Sequence, residues 1–453
     1  MACRSSTIAK TAAAALAALL GACGGGGAGS PSSLPPAPSG TPLSKIKHVV
    51  IIVQENRSFN DLFYGVPGAY TVSYGRDPKG RKIALQPIGL QTVWDLDHSS
   101  YSFFSACNGT GSFPGTDCRM NGFTREYVGC NHGNYPPCPI EHPQYAYVPH
   151  EETKPYFDMA SQYVLADRMF ASNFDASSFI SHQYIIAGQA SSAVNYPYNA
   201  WGCEGGKKDL IGTVTQQRTL YGGYIRTCFD DTTLGDELDR AGLSWAFYAA
   251  SYSSGYLSIW SAYQAIGHIF YGPDWSKDVL PNLQFFDDVK SGRLRDVSWI
   301  TPSCANSDHA GCGSNTGPSW VTSLVNAIGR SPYWSSTAIF IMWDDYGGWY
   351  DPVAPEKLDY DGLGMRIPLL VISPYAKQGY VSHVHYEHGS ILQFAEDRFG
   401  LPRMAASDAR ANSLVPDCFD FNQPPRRFIP IKAPHDEAYF RHQPLDLRMP
   451  DSQ

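Results

Sequence analysis

The sequence predicts an α/β fold built on a mostly parallel central sheet, and three observations lead to this prediction. Residues 49–53 form an unbroken apolar run, too short for a helix and too uniform for a half-exposed strand. A second run of this kind, residues 338–342, also ends abruptly in acidic residues. Long loops rich in Gly, Pro, Tyr and Cys separate these runs, which predicts loop insertions stapled by disulfides.

Composition limits the classes of protein to which the chain can belong. Its 453 residues exceed one average domain, but one α/β sheet with long loops can accommodate that length. The formal charge of −8 and the pI near 5.9 argue against nucleic acid as a partner. Only 17% of the residues are charged, whereas 13% are aromatic, which suits an exported protein.

The first residues predict export and a lipid anchor. Arg4 and Lys10 precede a small-residue apolar run, residues 11–22, that is too short to span a bilayer as a mature helix. The run ends in LLGAC, which resembles the lipobox of bacterial lipoproteins, with Cys23 as the lipidated residue. We therefore predict a signal peptide (1–22), a lipidated Cys23 with a flexible Gly/Ser/Pro tether (23–44) and one folded domain (45–453). The protein would face the periplasm or the cell surface. An ordinary signal peptide cleaved nearby is the alternative.

Nine cysteines remain after Cys3 and Cys23, and in an exported protein most of them should form disulfides. Two pairs have the spacing of local loops: Cys203 with Cys228, and Cys304 with Cys312. Four more crowd one segment: Cys107, Cys118, Cys130 and Cys138. Cys418 is the expected odd residue. A zinc site in the crowded segment is the competing interpretation, although no tight CxxC pair is present.

Polar side chains follow both buried runs, at the edge where open α/β sheets bind ligands. Glu55 and Asn56 follow the first run, and Asp344 and Asp345 follow the second. Adjacent carboxylates repel each other unless a cation lies beside them, and carboxylate and amide oxygens are ligands for hard divalent ions. The alternative is a solvated turn in which Asn56 caps a helix.

Ser177 and Ser178 begin a helical pattern in the segment SNFDASSFISHQYIIAGQ. A hydroxyl at a helix start can cap the helix, or it can lie where backbone N–H groups and the helix dipole favour a phosphate or a nucleophile. His98 and His309 lie in loops, where a histidine alone indicates little.

Several blocks of the sequence together resemble the bacterial phosphoesterase family, which contains phospholipases C and exported acid phosphatases. The blocks frame residues 45–402 and read ENRSFNDLFYG, WDLDHS, SHQYIIAG, WDDYGGWYD and RIPLLVISPYAKQGYVSHVHYEHGSILQFAEDRFGLP. The resemblance implies an alkaline-phosphatase-like fold, with a mixed, mostly parallel sheet sandwiched by helices, and a catalytic domain over 45–453.

The resemblance also implies roles for individual residues. Ser178 falls on the nucleophilic hydroxyl of the family, and His98 and His309 fall near the transferred phosphoryl group. One divalent ion (Ca, Mg, Mn or Zn) would be held by Glu55, Asn56, Ser178, Asp344 and Asp345. The chain departs from the family at residues 180–182, where Ile-Ser-His replaces the usual Pro-Asn-Arg, and at Asn60, where an Asp is usual. The first departure leaves Ser177 as an alternative nucleophile.

The resulting expectation is an exported hydrolase of phosphoric esters that acts through a serine and a metal ion. Its substrate would be a phosphate monoester, as for an acid phosphatase, or a phospholipid, as for a phospholipase C. Oxygen ligands favour a hard or borderline ion over a dedicated zinc cage. The alternative from another class is a surface lipoprotein that binds a phosphorylated ligand without turnover. No CxPxR-like segment supports a sulfatase.

Overall fold

The computed structural model describes residues 41–130, 132–198, 200–250, 260–446 and 448. The predicted signal peptide, Cys23 and most of the predicted tether therefore lie outside the described residues. Within the described ranges, no helix is both long and apolar enough to cross a membrane.

A mixed central sheet of nine strands organises the described part of the chain. The strands are β1 (His48–Gln54), β2 (Val164–Phe170), β3 (Trp245–Ala249), β4 (Val279–Pro281), β5 (Val297–Ile300), β6 (Thr337–Trp343), β7 (Arg366–Ile372), β8 (Tyr380–Ser382) and β9 (Tyr386–Glu387). Their order is β4-β3-β5-β1-β6-β7-β2-β8, and β9 also pairs with β2. Only β7 runs antiparallel to its neighbours. The predicted mixed, mostly parallel sheet is confirmed.

The strand boundaries differ from the predicted ones at some ends. The segment VSWITPS predicts a buried strand over residues 297–303, but β5 ends at Ile300, and Pro302, which has no N–H to donate, follows closely. The segment RIPLLVISPYA predicts a buried strand over residues 369–372, but β7 begins at Arg366, which pairs with Phe170 of β2. The Arg366 side chain is fully buried and pairs with Asp351 at 2.9 Å. Sequence patterns treat an arginine as an exposed residue and therefore miss this extension.

Helices cover both faces of the sheet. Phe340 on β6 packs on Phe394 at 4.9 Å between ring centroids, whereas Trp343 packs on Tyr156 at 5.1 Å. Because Phe340 and Trp343 are three residues apart on one strand, their side chains lie on opposite faces. The helices are α1 (Phe59–Leu62), α2 (Ser100–Cys107), α3 (His150–Gln162), α4 (Ser178–Ala187), α5 (Leu234–Arg240), α6 (Gly267–Phe270), α7 (Asp274–Asp278), α8 (Gln284–Lys290), α9 (Gly317–Gly329), α10 (His388–Phe399), α11 (Ala406–Arg410), α12 (Val415–Cys418) and α13 (Glu437–His442).

The loop insertions carry small sheets and disulfides. Tyr74–Arg76 pairs with Lys82–Ala84, Gln86–Pro87 pairs with Ala146–Tyr147, and a third sheet contains Ala193–Val194, Leu210–Val214 and Leu220–Arg226. The disulfides are Cys107–Cys118, Cys130–Cys138, Cys203–Cys228 and Cys304–Cys312, and Cys418 is free and buried. The predicted disulfide-stapled loops are confirmed. The zinc alternative for the crowded segment is wrong, because its four thiols are consumed in two disulfides.

Candidate active site

The acidic residues predicted at two strand ends meet at one edge of the sheet. Strands β1 and β6 are parallel neighbours whose register pairs Gln54 with Trp343, so the residues that follow each strand emerge side by side. The backbone N–H of Asn56 donates to Asp344 Oδ1 at 3.2 Å. The side chains of Glu55, Asn56, Asp344 and Asp345 are all fully buried. Three carboxylates therefore share one buried volume with an amide.

A close backbone crossing holds Asp345 beside Asn56. Gly347 adopts φ +61°, and a Cβ placed on it would lie 2.2 Å from the carbonyl oxygen of Asn56. Its N–H donates to Asp345 Oδ1 at 2.7 Å, which fixes that carboxylate. Asn56 itself adopts φ +59°, a left-handed conformation that is unusual for a residue with a side chain. Only glycine fits at position 347 without displacing this residue.

The two candidate serines face different partners. Ser177 precedes α4, and its hydroxyl donates to Asp175 Oδ1 at 2.7 Å. Ser178 is the first residue of α4, and its Oγ lies 3.5 Å from Asp345 Oδ2 and 3.4 Å from Asn56 Nδ2. The structure thus brings Ser178 to the acidic residues and directs the hydroxyl of Ser177 to Asp175.

Three buried histidines surround these residues, and a backbone carbonyl fixes the orientation of each ring. The Nδ1 atom of His98 donates to the Leu96 carbonyl at 2.7 Å, that of His182 donates to the Trp260 carbonyl at 2.9 Å, and that of His309 donates to the Ala310 carbonyl. A carbonyl can only accept, so Nδ1 carries the proton and Nε2 presents a lone pair when the ring is neutral. The rings of His98 and His309 lie 6.1 Å apart, edge to face.

The orientation of the Asn56 amide follows from the tautomer of His98. His98 Nε2 lies 2.9 Å from the Asn56 amide, and when the ring is neutral its lone pair requires the NH2 group there. The amide oxygen then lies 3.0 Å from Glu55 Oε2 and 3.3 Å from Asp344 Oδ1. In the opposite orientation the amide would donate to both carboxylates, and His98 would have to carry protons on both ring nitrogens. With His98 neutral, three oxygens converge and repel one another unless a cation lies among them.

A second observation shows that these residues fit a divalent cation. Asp344 Oδ2 is buried and has no hydrogen-bond donor among the described residues. A buried carboxylate oxygen without a partner is costly, whereas a bound metal ion would satisfy it. Oxygen–oxygen separations near 3 Å also suit oxygens that share one ion at about 2.0–2.6 Å. The structure brings together the residues predicted to bind the ion, and their role as ligands stays a prediction: Glu55, Asn56, Ser178, Asp344 and Asp345.

Sequence reasoning missed three residues that the fold brings to this site. His182 Nε2 lies 3.0 Å from Glu55 Oε1. The Tyr196 hydroxyl lies 3.5 Å from His98 Nε2 and 3.4 Å from the backbone nitrogen of Ser178. Asp95 forms a cluster with His98 and His309 in which the possible ligand atoms all lie within 4.8 Å of one another. Of these three residues, only His182 could have been found from the sequence, because it follows Ser178 by four residues and so lies on the same face of the helix.

Burial perturbs the acids and bases around the site. Burial raises the pKa of Glu126 well above its usual range, and its carboxyl accepts a hydrogen bond from Tyr346, next to Asp345. Burial also raises the pKa of Asp308 to about 6, against stabilising contacts from Tyr156 and Arg57. The pKa of His388 is lowered to about 3, because burial disfavours its charged form.

A separate groove of about 1100 Å³ lies between α8, α9 and residues 431–442. Its walls include Phe286, Asn326, Arg330 and His435. None of the acidic residues, serines or histidines of the candidate active site lines this groove, so the groove takes no part in the chemistry of that site.

The fold and the site together define a class of α/β protein. In this class, a serine at the start of a helix faces a buried cluster of acidic residues that can hold a metal ion, and histidines lie beside the cluster. Comparison with known proteins agrees, because the model of the Phosphoesterase family matches residues 46–402. The chain belongs to this family.

Several known proteins are similar to this chain. The non-hemolytic phospholipase C of Burkholderia pseudomallei is 25% identical over 413 residues, which cover 78% of this chain and 55% of that protein. The non-specific phospholipase C1 of Arabidopsis thaliana is 24% identical, over 87% of this chain and 75% of that protein. The chain thus spans little more than half the length of its bacterial relative. A solved alkaline phosphatase superfamily protein from Vibrio parahaemolyticus matches with a TM-score of 0.37 and 10% identity, over 81% of this chain and 71% of that one.

Proposed function

We propose that the protein hydrolyses phosphoric esters in two steps, with Ser178 as the nucleophile. The observation that carries this proposal is the position of Ser178 Oγ, within 3.5 Å of both Asp345 and Asn56 at the start of a helix. A serine that only capped the helix would instead accept from a backbone N–H two or three residues on. Ser178 has no such contact among the described residues.

In the first step, Ser178 Oγ attacks phosphorus in line with the ester oxygen. A bond forms between phosphorus and Oγ, and the bond to the alcohol breaks. Asp345 Oδ2 accepts the hydrogen bond of the serine and is the first acceptor for its proton. Ser178 lies at the start of α4, where the helix dipole stabilises negative charge on the phosphoryl group.

The second step transfers the phosphoryl group from Ser178 to water, and the histidines divide the remaining tasks. His98 Nε2 accepts from the Asn56 amide and so holds that amide in place. His309, protonated on Nε2 in the first step, is then the group that gives a proton to the leaving alcohol and later takes one from water. As the bond between phosphorus and Oγ breaks in the second step, Asp345 returns the proton to Ser178. Its loop is closed by the Cys304–Cys312 disulfide, which limits the movement of the ring.

A divalent ion bound by Glu55, Asn56, Asp344 and Asp345 would act as a Lewis acid that stabilises negative charge on the transferred group. The contribution of the protein is to hold these side chains in a buried, preorganised cluster. Asn56 is held by its left-handed backbone and by His98, and Asp345 is held by the N–H of Gly347.

For the substrate we propose a phospholipid head-group ester or a phosphate monoester. The names of the relatives support the first, because both relatives compared above are phospholipases C.

We further propose that the protein is exported and anchored to a membrane through Cys23. That proposal rests on the LLGAC segment and on the Gly-rich stretch that follows it.

A substrate panel with matched serine variants tests this function. Release of phosphate from a chromogenic monoester and of phosphocholine from phosphatidylcholine would be measured for the wild type, Ser178→Ala and Ser177→Ala. We expect turnover of at least one substrate, a loss of about 10⁴-fold or more in Ser178→Ala, and near wild-type turnover in Ser177→Ala. No turnover of either substrate by a folded, metal-loaded wild type would refute the proposal.

A further inference from the structure

We propose that His182 binds the same divalent ion through Nε2, as a nitrogen ligand beside Glu55 and Asp344. This inference rests on the metal-dependent site proposed above and extends it, because oxygen atoms supply every ligand considered so far. It assigns a direct role to a residue outside the predicted ligand set.

His182 is presented to the acidic cluster by its helix. It lies one turn after Ser178 on α4, and its side chain is only 1% exposed. The donation from Nδ1 to the Trp260 carbonyl, at 2.9 Å, fixes both the ring and its tautomer. Histidines that bind metals almost always donate their other ring N–H in this way, which keeps the ligating nitrogen unprotonated.

The distances around Nε2 suit a shared ion. Nε2 lies 3.0 Å from Glu55 Oε1 and 3.7 Å from Asp344 Oδ2. With His182 the ion would have five or six ligands, and adjacent ligands of an octahedral ion at about 2.1 Å stand roughly 3.0 Å apart, as Nε2 and Glu55 Oε1 do. The possible ligand atoms of Glu55, His182 and Asp344 all lie within 4.8 Å of one another.

The competing arrangement is an ion pair in which His182 is protonated on both nitrogens and donates to Glu55. Such a pair would satisfy Glu55 Oε1 but would leave Asp344 Oδ2, 3.7 Å from Nε2, without a hydrogen bond. A single ion satisfies both carboxylates and the ring nitrogen together. The geometry therefore favours ligation.

An imidazole ligand changes which metal the site prefers. Carboxylate and carbonyl oxygens alone suit Mg, Ca and Mn, whereas imidazole suits Zn, Fe and Ni. With His182 included, the site should bind Zn²⁺ in preference to Ca²⁺ and Mg²⁺.

Pulsed EPR on protein loaded with Mn²⁺ detects the hyperfine coupling of a directly bound ¹⁴N nucleus and tests the inference. We expect this coupling in the wild type, its loss in His182→Gln and its retention in His48→Gln. His48 is a matched control, because its Nδ1 also contacts a carbonyl, that of Arg295 at 2.8 Å, but at the far end of β1. A wild-type spectrum without ¹⁴N coupling would overturn the inference, and this result does not require any variant to fold.

Zinc affinity provides a second readout that is independent of turnover. Removal of a residue that only supports a ligand weakens metal binding by about 10–100-fold, so removal of a ligand should weaken it by more than about 100-fold. We expect that loss for Zn²⁺ in His182→Gln and a change of less than about threefold in His48→Gln. A Zn²⁺ affinity unchanged in His182→Gln would overturn the inference. If a metal-loaded wild type hydrolysed esters but showed no ¹⁴N coupling, His182 would be rejected as a ligand. The proposed function would still stand.

Discussion

Substituting Gly347 by alanine tests whether the close backbone crossing at the site is needed for catalysis. The new Cβ would lie 2.2 Å from the carbonyl oxygen of Asn56 and 2.7 Å from its carbonyl carbon. Ordinary carbon–oxygen contacts are no closer than about 3.3 Å, so the two segments must separate by roughly 1 Å. Both segments carry predicted metal ligands, namely Asn56 and Asp345.

Two effects of this substitution can be estimated separately. An alanine held at φ +61° costs about 1–2 kcal/mol of stability, since left-handed backbone is unfavourable for a residue with a Cβ. The displacement of Asn56 and Asp345 adds a catalytic loss, and a misplacement of about 1 Å in a catalytic site can cost roughly 100-fold in rate. We therefore expect Gly347→Ala to lower kcat/KM by about 100-fold or more.

Gly65→Ala is the matched control for backbone strain. Gly65 also adopts a left-handed conformation, φ +82°, but a Cβ placed there would have no neighbour within 4 Å. This variant should lose about 1–2 kcal/mol in urea unfolding and retain full activity toward the best substrate of the panel. If Gly347→Ala were as active as Gly65→Ala, the account of a preorganised Asn56 would be refuted.

Three further predictions concern other parts of the account. Burial raises the pKa of Asp308 from 3.8 to about 6, so its contribution to stability is full below pH 3.8 and is lost as the pH rises through 6. In urea unfolding, the stability of the wild type minus that of Asp308→Asn should fall by about 2.4 kcal/mol between pH 4 and pH 7, and a constant difference would contradict this. Asp345→Ala should lose activity and bound metal while its circular dichroism spectrum stays native, and normal metal content with normal turnover would exclude the shared site. Cys23→Ala should release the protein from the membrane fraction, whereas a soluble wild type would disprove the lipid anchor.

The meeting of the acidic residues could be predicted because it follows from strand pairing. Each of two buried runs ends in residues that can bind a metal ion, and parallel strands place their carboxyl ends at the same edge of a sheet. The pairing of Gln54 with Trp343 accordingly places Glu55 near Asp344. The Cys203–Cys228 and Cys304–Cys312 disulfides could be predicted for a related reason, since their spacings favour local loops, whereas the spacings in the crowded segment do not decide how its four cysteines pair. In both cases the information lies in positions along the chain.

The remaining features depend on contacts that the sequence does not encode locally. The role of His182 depends on the carbonyl of Trp260, 78 residues away, and the presence of Tyr196 at the site depends on a loop with no regular pattern. Asn56, in its left-handed conformation, crosses Gly347, which lies nearly 300 residues further along the chain. The choice between Ser177 and Ser178 depends on which hydroxyl Asp175 engages, and periodicity alone could not supply this.

The central claim, that Ser178 attacks phosphorus, is tested most directly by trapping the intermediate. Wild-type protein would be acid-quenched during turnover of a slow substrate, digested and analysed by fragmentation mass spectrometry. We predict a phosphoryl adduct on Ser178 with a monoester, or a head-group phosphate adduct on Ser178 with a phospholipid. An adduct on Ser177, or no adduct on either serine together with an active Ser178→Ala variant, would contradict the claim.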